Sequence, residues 1–175
     1  MLVNLTDMFS SEHKVEQKEL VLDMDAVTIG GVSYDILTKE PVVLNLKNIS
    51  KGKALVQATT SFTMELACDR CLKPVKYSMK IVAEEEVISP DYVEETSEDS
   101  EQDIFMDGYQ LKVDDLIYRD IVLNWPMKIL CREDCKGICR ICGKDLNTGE
   151  CGCDTFVPSP GLAGIKEIFN ANKEV

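Results

Sequence analysis

The chain has 175 residues, a length that suits one domain or two small ones with a buried core. Its amino-terminal stretch lacks a basic start, and no apolar run approaches the ~20 residues that span a bilayer, so we expect a cytoplasmic protein with no signal peptide and no membrane contact. The formal net charge of −12 is concentrated in residues 83–103, which hold ten acidic residues and no basic one. This distribution argues against general nucleic-acid binding and favours basic partners.

The first ninety residues predict a β-rich fold. Residues 41–49, 53–69 and 75–89 are rich in β-branched side chains and predict three strands, and the apolar residues Val42, Leu44 and Leu46 alternate with others as in a half-buried strand. Glycines at 30–31 and 52 predict turns. The first cysteine pair, Cys68 and Cys71, falls between the second and third of these strands, at the tip of a hairpin.

Residues 83–103 predict an acidic, solvated loop, for which we also consider a role in binding. In the binding hypothesis the acidic side chains mimic phosphates and hold a basic protein. The candidates for this contact are Glu84, Glu85, Glu86, Glu94, Glu95, Glu98 and Asp99.

Residues 113–125 predict a helix, because Val113, Leu116, Ile117 and Ile121 follow helical spacing and Pro126 stops it. A cysteine-rich module is expected at 126–157. Residues 158–175 predict a short C-terminal amphipathic helix.

Eight cysteines in a chain without an export signal favour metal binding over disulfides. The pair Cys139 and Cys142 forms a Cys-x-x-Cys knuckle, and Cys151 and Cys153 can complete a four-thiolate, zinc-ribbon-like site. Cys131 and Cys135 then remain, and the distant pair Cys68 and Cys71 completes a second site with them. We therefore predict one or two structural zinc ions. Disulfides, a single zinc ion with four spare thiols, and an iron–sulfur cluster remain alternatives.

No catalytic constellation is evident. The single histidine, His13, lies in a polar stretch, and the nucleotide-binding glycine motifs are absent. A zinc ion with four thiolates has no open position for a substrate. We therefore expect neither an enzyme nor a small-molecule substrate.

Basic residues flank the cysteines and form a candidate RNA-binding patch, although acidic residues are interspersed with them. The candidates are Arg70, Lys73, Lys76, Arg132, Lys136, Arg140 and Lys144.

The chain resembles the bacterial YceD family, the large ribosomal RNA subunit accumulation proteins. The resemblance rests on two specific pieces, "CDRC" at residues 68–71 and the pattern C-x₃-C-K-G-x-C-x₂-C-G at residues 131–143. It implies a role in the synthesis, processing or stability of large-subunit ribosomal RNA. The gene of this family commonly lies beside that of a small basic large-subunit ribosomal protein, so the implied partner is that RNA or such a protein.

Together these observations predict an α+β fold, with an antiparallel β-sheet that could close like a barrel, a helix, and a C-terminal zinc-ribbon-like cysteine module. The expected organisation is a β-rich domain at 1–125, the module at 126–157 and the final helix at 158–175. The predicted function is that of a non-enzymatic ribosome-biogenesis factor. The alternatives are a magnesium-dependent nuclease for ribosomal RNA that uses Glu84–Glu86 or Asp114 and Asp115, and a zinc-stabilised adaptor unrelated to ribosomes.

Overall fold

The structure is a computed structural model that describes residues 1–92 and 104–153. The predicted helix at 158–175 and the acidic residues Glu94, Glu95, Glu98 and Asp99 lie outside the described residues. The chain divides into two units. The β unit comprises Met1–Leu66 and Pro74–Ile129, and the cysteine unit comprises Ala67–Lys73 and Leu130–Val175.

Strands dominate the described part of the chain. In chain order the elements are β1 (Leu2–Asn4), α1 (Thr6–Ser10), β2 (Val15–Leu20), β3 (Ala26–Ile29), β4 (Val32–Lys39), β5 (Val42–Ser50), β6 (Lys53–Ala67), β7 (Pro74–Ile88), β8 (Met106–Asp107), β9 (Gln110–Lys112) and α2 (Val113–Leu123). The three long strands predicted from the sequence are confirmed as β5, β6 and β7. The two predicted turns are also present, with left-handed glycines at 30, 31 and 52.

The larger sheet is built around β6, whose even-numbered residues are buried along its length. Strands follow the order β2-β5-β6-β4-β3, and β7 also pairs with β6. The first half of β6 pairs antiparallel with β5, and Phe62–Met64 pairs with β4 after a register shift in β4 between Ile36 and Thr38. A smaller sheet has the order β1-β9-β8. Because β6 is 15 residues long, it can serve two partners in succession along one edge.

The core of the β unit lies between the larger sheet and α2. Leu44, Val56 and Ile81 from the sheet are fully buried in one cluster with Leu116 and Ile117 from the helix. The apolar stripe predicted for this helix is therefore the face it buries. Among the described residues, no helix has the length and apolar character needed to cross a bilayer.

Three expectations need correction or remain open. The antiparallel sheet and the helix are confirmed, but the described strands form no closed barrel, so the barrel-like closure is not confirmed. The strand predicted at 75–89 and the loop predicted at 83–103 overlap, and the loop prediction is wrong for residues 83–88, because β7 continues to Ile88 with Ala83 and Val87 buried. The helix ends at Leu123, two residues before the predicted Trp125.

Candidate metal centres

Two Cys-x-x-Cys knuckles in the cysteine unit have the same backbone turn. In each, the residue after the second cysteine is left-handed, with φ of 60° at Leu72 and 73° at Gly143. The N–H of Leu72 donates to the carbonyl of Cys68 at 2.8 Å, and the N–H of Gly143 donates to the carbonyl of Cys139 at 2.9 Å. This turn places both sulfurs of a pair on one side of the backbone. A leucine in the left-handed position was not expected, since glycine adopts it at lower cost.

The first cysteine group joins the hairpin tip to the segment that follows α2. It consists of Cys68, Cys71, Cys131 and Cys135, whose sulfurs all lie within 4.8 Å of one another. The Cys68 and Cys135 sulfurs are 3.9 Å apart, and the Cys71 and Cys131 sulfurs are 3.6 Å apart. A tetrahedron with Zn–S bonds of ~2.3 Å places its sulfurs about 3.8 Å apart. The observed separations match that geometry, and all four cysteines are free thiols.

The second group consists of Cys139, Cys142, Cys151 and Cys153, whose sulfurs also lie within 4.8 Å of one another. A short hairpin supports it, because the N–H of Cys139 donates to the carbonyl of Lys144 at 2.8 Å and Ile138 forms a bridge with Asp145. The N–H of Ile141 donates to the Cys139 sulfur at 3.4 Å. Such N–H donors stabilise the negative charge of a thiolate ligand. Both groups could therefore hold a metal ion.

Each group combines a thiol that ionises easily with one that does not. Burial opposes ionisation of Cys68, yet backbone hydrogen bonds to its sulfur bring its pKa down to about 6. Burial, together with the neighbouring Cys71 thiol, raises the pKa of Cys131 to about 12. In the second group, backbone hydrogen bonds lower the pKa of Cys139 to about 6, whereas neighbouring thiols raise the pKa of Cys153 to about 12. A divalent cation would offset the repulsion that keeps the last thiol of each group protonated.

Gly137 and Arg70 position the first group, and sequence reasoning gave neither this role. The Arg70 carbonyl accepts the Ile138 N–H at 3.1 Å, and the Arg70 guanidinium donates to the Cys135 carbonyl at 2.6 Å. Gly137 has φ of +81°, and a Cβ built there would lie 2.8 Å from the Arg70 carbonyl oxygen. Glycine is therefore required where the tip meets the segment that carries Cys135. The available signal was the glycine itself, two residues after a cysteine.

Asn147 is a further residue that the sequence did not connect with the first cysteine group. Its side-chain N–H donates to the Cys135 sulfur at 3.5 Å and to Asp145 at 2.7 Å. Its side-chain oxygen accepts the backbone N–H of Lys136 at 2.8 Å and the guanidinium of Arg132 at 2.9 Å. Asn147 thus belongs to the surroundings of the first cysteine group, although it lies in the sequence between the ligand pairs of the second.

The predicted RNA-binding residues are divided between the two units. Lys76 lies on β7 in the β unit, and the other six lie in the cysteine unit. Four of the six have acceptors within that unit. In addition to Arg70, Lys73 pairs with Asp145 at 2.7 Å, Arg132 pairs with Asp134 at 3.3 Å, and the Lys144 amino group donates to the Glu150 carbonyl at 2.8 Å.

The remaining two, Lys136 and Arg140, have exposed side chains.

The pairing of Lys73 with Asp145 lowers the pKa of the Asp145 carboxyl to about 2. Much of the predicted patch therefore takes part in holding the cysteine unit together.

The carboxylates proposed for magnesium chemistry are engaged separately. On β7, Glu84 accepts a hydrogen bond from Gln57 at 2.6 Å, Glu85 pairs with Arg119, and Glu86 pairs with Lys53 at 3.7 Å. Asp114 pairs with the amino group of Met1. Across residues 1–92 and 104–153, the clusters of three or more potential ligands are the two cysteine groups.

Comparison with known proteins gives one family. The family model described as "Large ribosomal RNA subunit accumulation protein YceD" matches residues 56–169, more than half of the chain. Uncharacterized proteins of Mycobacterium bovis and Mycobacterium tuberculosis are each 31% identical to it over 104 residues. That stretch is 59% of this chain and 49% of each relative, so the chain matches about half the length of these curated relatives. No solved structure matches the chain.

Proposed function

The chain belongs to the YceD family of large ribosomal RNA subunit accumulation proteins, and on that premise we propose that it supports the accumulation of large-subunit ribosomal RNA without catalysing a reaction. The observation that carries this proposal is the character of its two candidate centres. Each offers four thiolates, which fill the tetrahedral positions of a zinc ion, and the residues at 1–92 and 104–153 add no fifth ligand to either group. The centres then serve structure, and the function lies in binding.

We propose zinc as the ion in both groups. Soft thiolate donors in a set of four suit zinc, and the sulfur separations of 3.9 Å and 3.6 Å in the first group agree with its tetrahedral geometry. Binding would tie the hairpin tip to the segment 131–135 within the cysteine unit. Elemental analysis of the purified chain tests this assignment, with two zinc ions per chain as the expected result. Iron, or no metal at all, would contradict it.

We propose that the partner is a basic protein of the large subunit, not the RNA itself. The described cysteine unit carries six basic and five acidic side chains, and each zinc ion with four thiolates would add a net charge of −2. The basic residues there are thus needed to offset the centres, and four already have acceptors. The whole chain carries −12, which favours a basic partner and repels phosphates.

Binding measurements can separate the two partners. We expect the purified chain to bind a small basic large-subunit ribosomal protein, and to bind it more weakly when four acids are neutralised (Glu94→Gln, Glu95→Gln, Glu98→Gln and Asp99→Asn). A matched control removes the same charge from scattered exposed sites (Glu12→Gln, Glu19→Gln, Asp23→Asn and Glu65→Gln). Equal weakening in both variants would mean that the net charge of the chain, and not the acidic residues at 94–99, governs binding. Binding to large-subunit RNA that is lost on changing Lys136 and Arg140 to glutamate would favour RNA as the partner.

In cells, loss of the protein should lower the ratio of large-subunit to small-subunit ribosomal RNA. The unaltered chain should restore the ratio, whereas a Cys68→Ser, Cys71→Ser chain should not. An unchanged ratio on loss of the protein would overturn the proposed function. The nuclease alternative predicts magnesium-dependent cleavage of precursor RNA that disappears when Glu84, Glu85 and Glu86 become glutamine.

A further inference from the structure

We propose that the two metal centres are coupled, so that filling one strengthens binding at the other, and that Asn147 is the positioning residue that couples them. The inference rests on the proposed metal sites. The observation behind it is that Asn147 lies between two cysteines of one group in the sequence but contacts a cysteine of the other group. Asn147 lies on the loop between Cys142 and Cys151, which belong to the second group, yet its side chain reaches Cys135 of the first group.

Both the oxygen and the nitrogen of the Asn147 side chain form hydrogen bonds within the cysteine unit. The oxygen accepts from the Lys136 N–H and the Arg132 guanidinium, and the nitrogen donates to the Cys135 sulfur and to Asp145. These four contacts fix the orientation of the amide with its N–H toward the sulfur. A donor in that position favours the thiolate form that a cation needs, as do the outer partners of other metal ligands.

The same loop also contacts the segment that carries Cys68 and Cys71, through Asp145. This carboxylate accepts the backbone N–H of Asn147 at 2.9 Å and pairs with Lys73 at 2.7 Å. Lys73 follows the Cys68 and Cys71 knuckle by two residues. One loop therefore contacts Cys135 of the first group through Asn147, and through Asp145 it contacts Lys73, which follows the other cysteine pair of that group.

Metal in the second group would fix both ends of this loop, because Cys142 precedes it and Cys151 follows it. Ordering a loop costs conformational entropy. A loop whose ends are already fixed loses less entropy when the first group binds its metal ion. The coupling is reciprocal by thermodynamic necessity. Outer-shell partners of metal ligands typically change affinity by 10–100-fold, so we expect coupling of about tenfold.

The test is a thermodynamic cycle on the full chain with Co²⁺ as a spectroscopic probe, competed with a chelator and repeated with Zn²⁺. Three proteins are compared, namely the intact chain, the chain without the first group (Cys68→Ser, Cys71→Ser) and the chain without the second (Cys151→Ser, Cys153→Ser). If the sites are independent, the product of the two dissociation constants of the intact chain equals the product of the constants measured for the two single-group chains. Coupling makes the intact product about tenfold smaller.

The coupling ratio is the product of the two single-group dissociation constants divided by the product for the intact chain. Asn147→Ala in all three proteins should bring this ratio to within twofold of one. The matched control is Thr148→Ala, which removes a hydrogen bond to the Asp145 carbonyl in the same loop and no contact with the first group; it should keep the coupling. Fluorescence of Trp125, whose ring lies 5.0 Å from that of Tyr34, reports that the β unit is folded in each variant.

A ratio of one in the unaltered chain would overturn the coupling, and a tenfold ratio that survives Asn147→Ala would overturn the role of Asn147. A chain that binds no metal would instead remove the proposed sites themselves, so the two failures are distinguishable.

Discussion

Replacement of Gly137 by alanine should specifically destabilise the cysteine unit. Two costs arise at this position. A left-handed backbone costs a residue with a Cβ about 1–2 kcal/mol relative to glycine. The added methyl would also lie 2.8 Å from the Arg70 carbonyl oxygen and 3.3 Å from its Cβ, and overpacking of this kind costs roughly 1–3 kcal/mol. The oxygen cannot retreat freely, because it accepts the Ile138 N–H at 3.1 Å.

Gly143→Ala is the matched control. Gly143 has a similar φ of +73°, but a Cβ built there meets nothing within 4 Å. We therefore expect a loss of about 2–5 kcal/mol for Gly137→Ala and about 1–2 kcal/mol for Gly143→Ala in the free energy of unfolding. The assay is urea unfolding of the cobalt-loaded chain, followed by the thiolate-to-cobalt absorption of the cysteine unit. Losses that agree within about 0.5 kcal/mol would show that the Arg70 contact does not constrain Gly137.

Further predictions concern the metal content and two individual positions. Cys71→Ser should lower the zinc content measured by elemental analysis from two ions per chain to one; a chain that keeps both ions would disprove the grouping of the thiols. Leu72→Gly should raise the stability of the cysteine unit by about 0.5–1 kcal/mol in the same urea assay, because the left-handed φ of 60° favours glycine and the leucine side chain is 65% exposed. Leu72→Ala should bring no such gain, and if it does, backbone strain is not the cause. Asn48→Ala should lower the stability of the β unit by about 1–3 kcal/mol in thermal unfolding. The buried Asn48 amide donates to the Met8 carbonyl at 2.9 Å, and the substitution removes this donor. Asn45→Ala, on the same strand and only partly buried, serves as the control and should cost less.

The strands and the cysteine groups could be predicted because their signals are local. Many β-branched residues and an alternation of apolar with polar residues predicted β5, β6 and β7, where burial does alternate, and a Cys-x-x-Cys turn positions two sulfurs whatever surrounds it. The grouping of Cys68 and Cys71 with Cys131 and Cys135 followed by elimination, and the structure brings those four sulfurs together.

The acidic run shows where two local signals disagree. The composition of residues 83–103 suggested a solvated loop, whereas the pattern of residues 75–89 predicted a strand. Residues 83–88 lie in β7, and Ala83 and Val87 are buried there. Burial of alternate residues on a long strand outweighs the preference of consecutive acids for solvent. Glu84 and Glu86 point to the exposed side, whereas Glu85 lies half-buried on the side of Ala83 and Val87 and pairs with Arg119 of α2. The partners of these three acids, Gln57, Lys53 and Arg119, are each more than 25 residues away.

The sequence by itself determined which cysteines form Cys-x-x-Cys knuckles and which segments are strands, since both depend on spacing along a few residues. Only the tertiary structure decided what surrounds the first cysteine group: Arg70 against Gly137, and Asn147 against Cys135. The physical reason is that these contacts form between segments brought together by the hairpin tip and by the folding of the loop after Cys142. A hydrogen bond between such segments depends on backbone positions in space, which spacing along the chain does not specify.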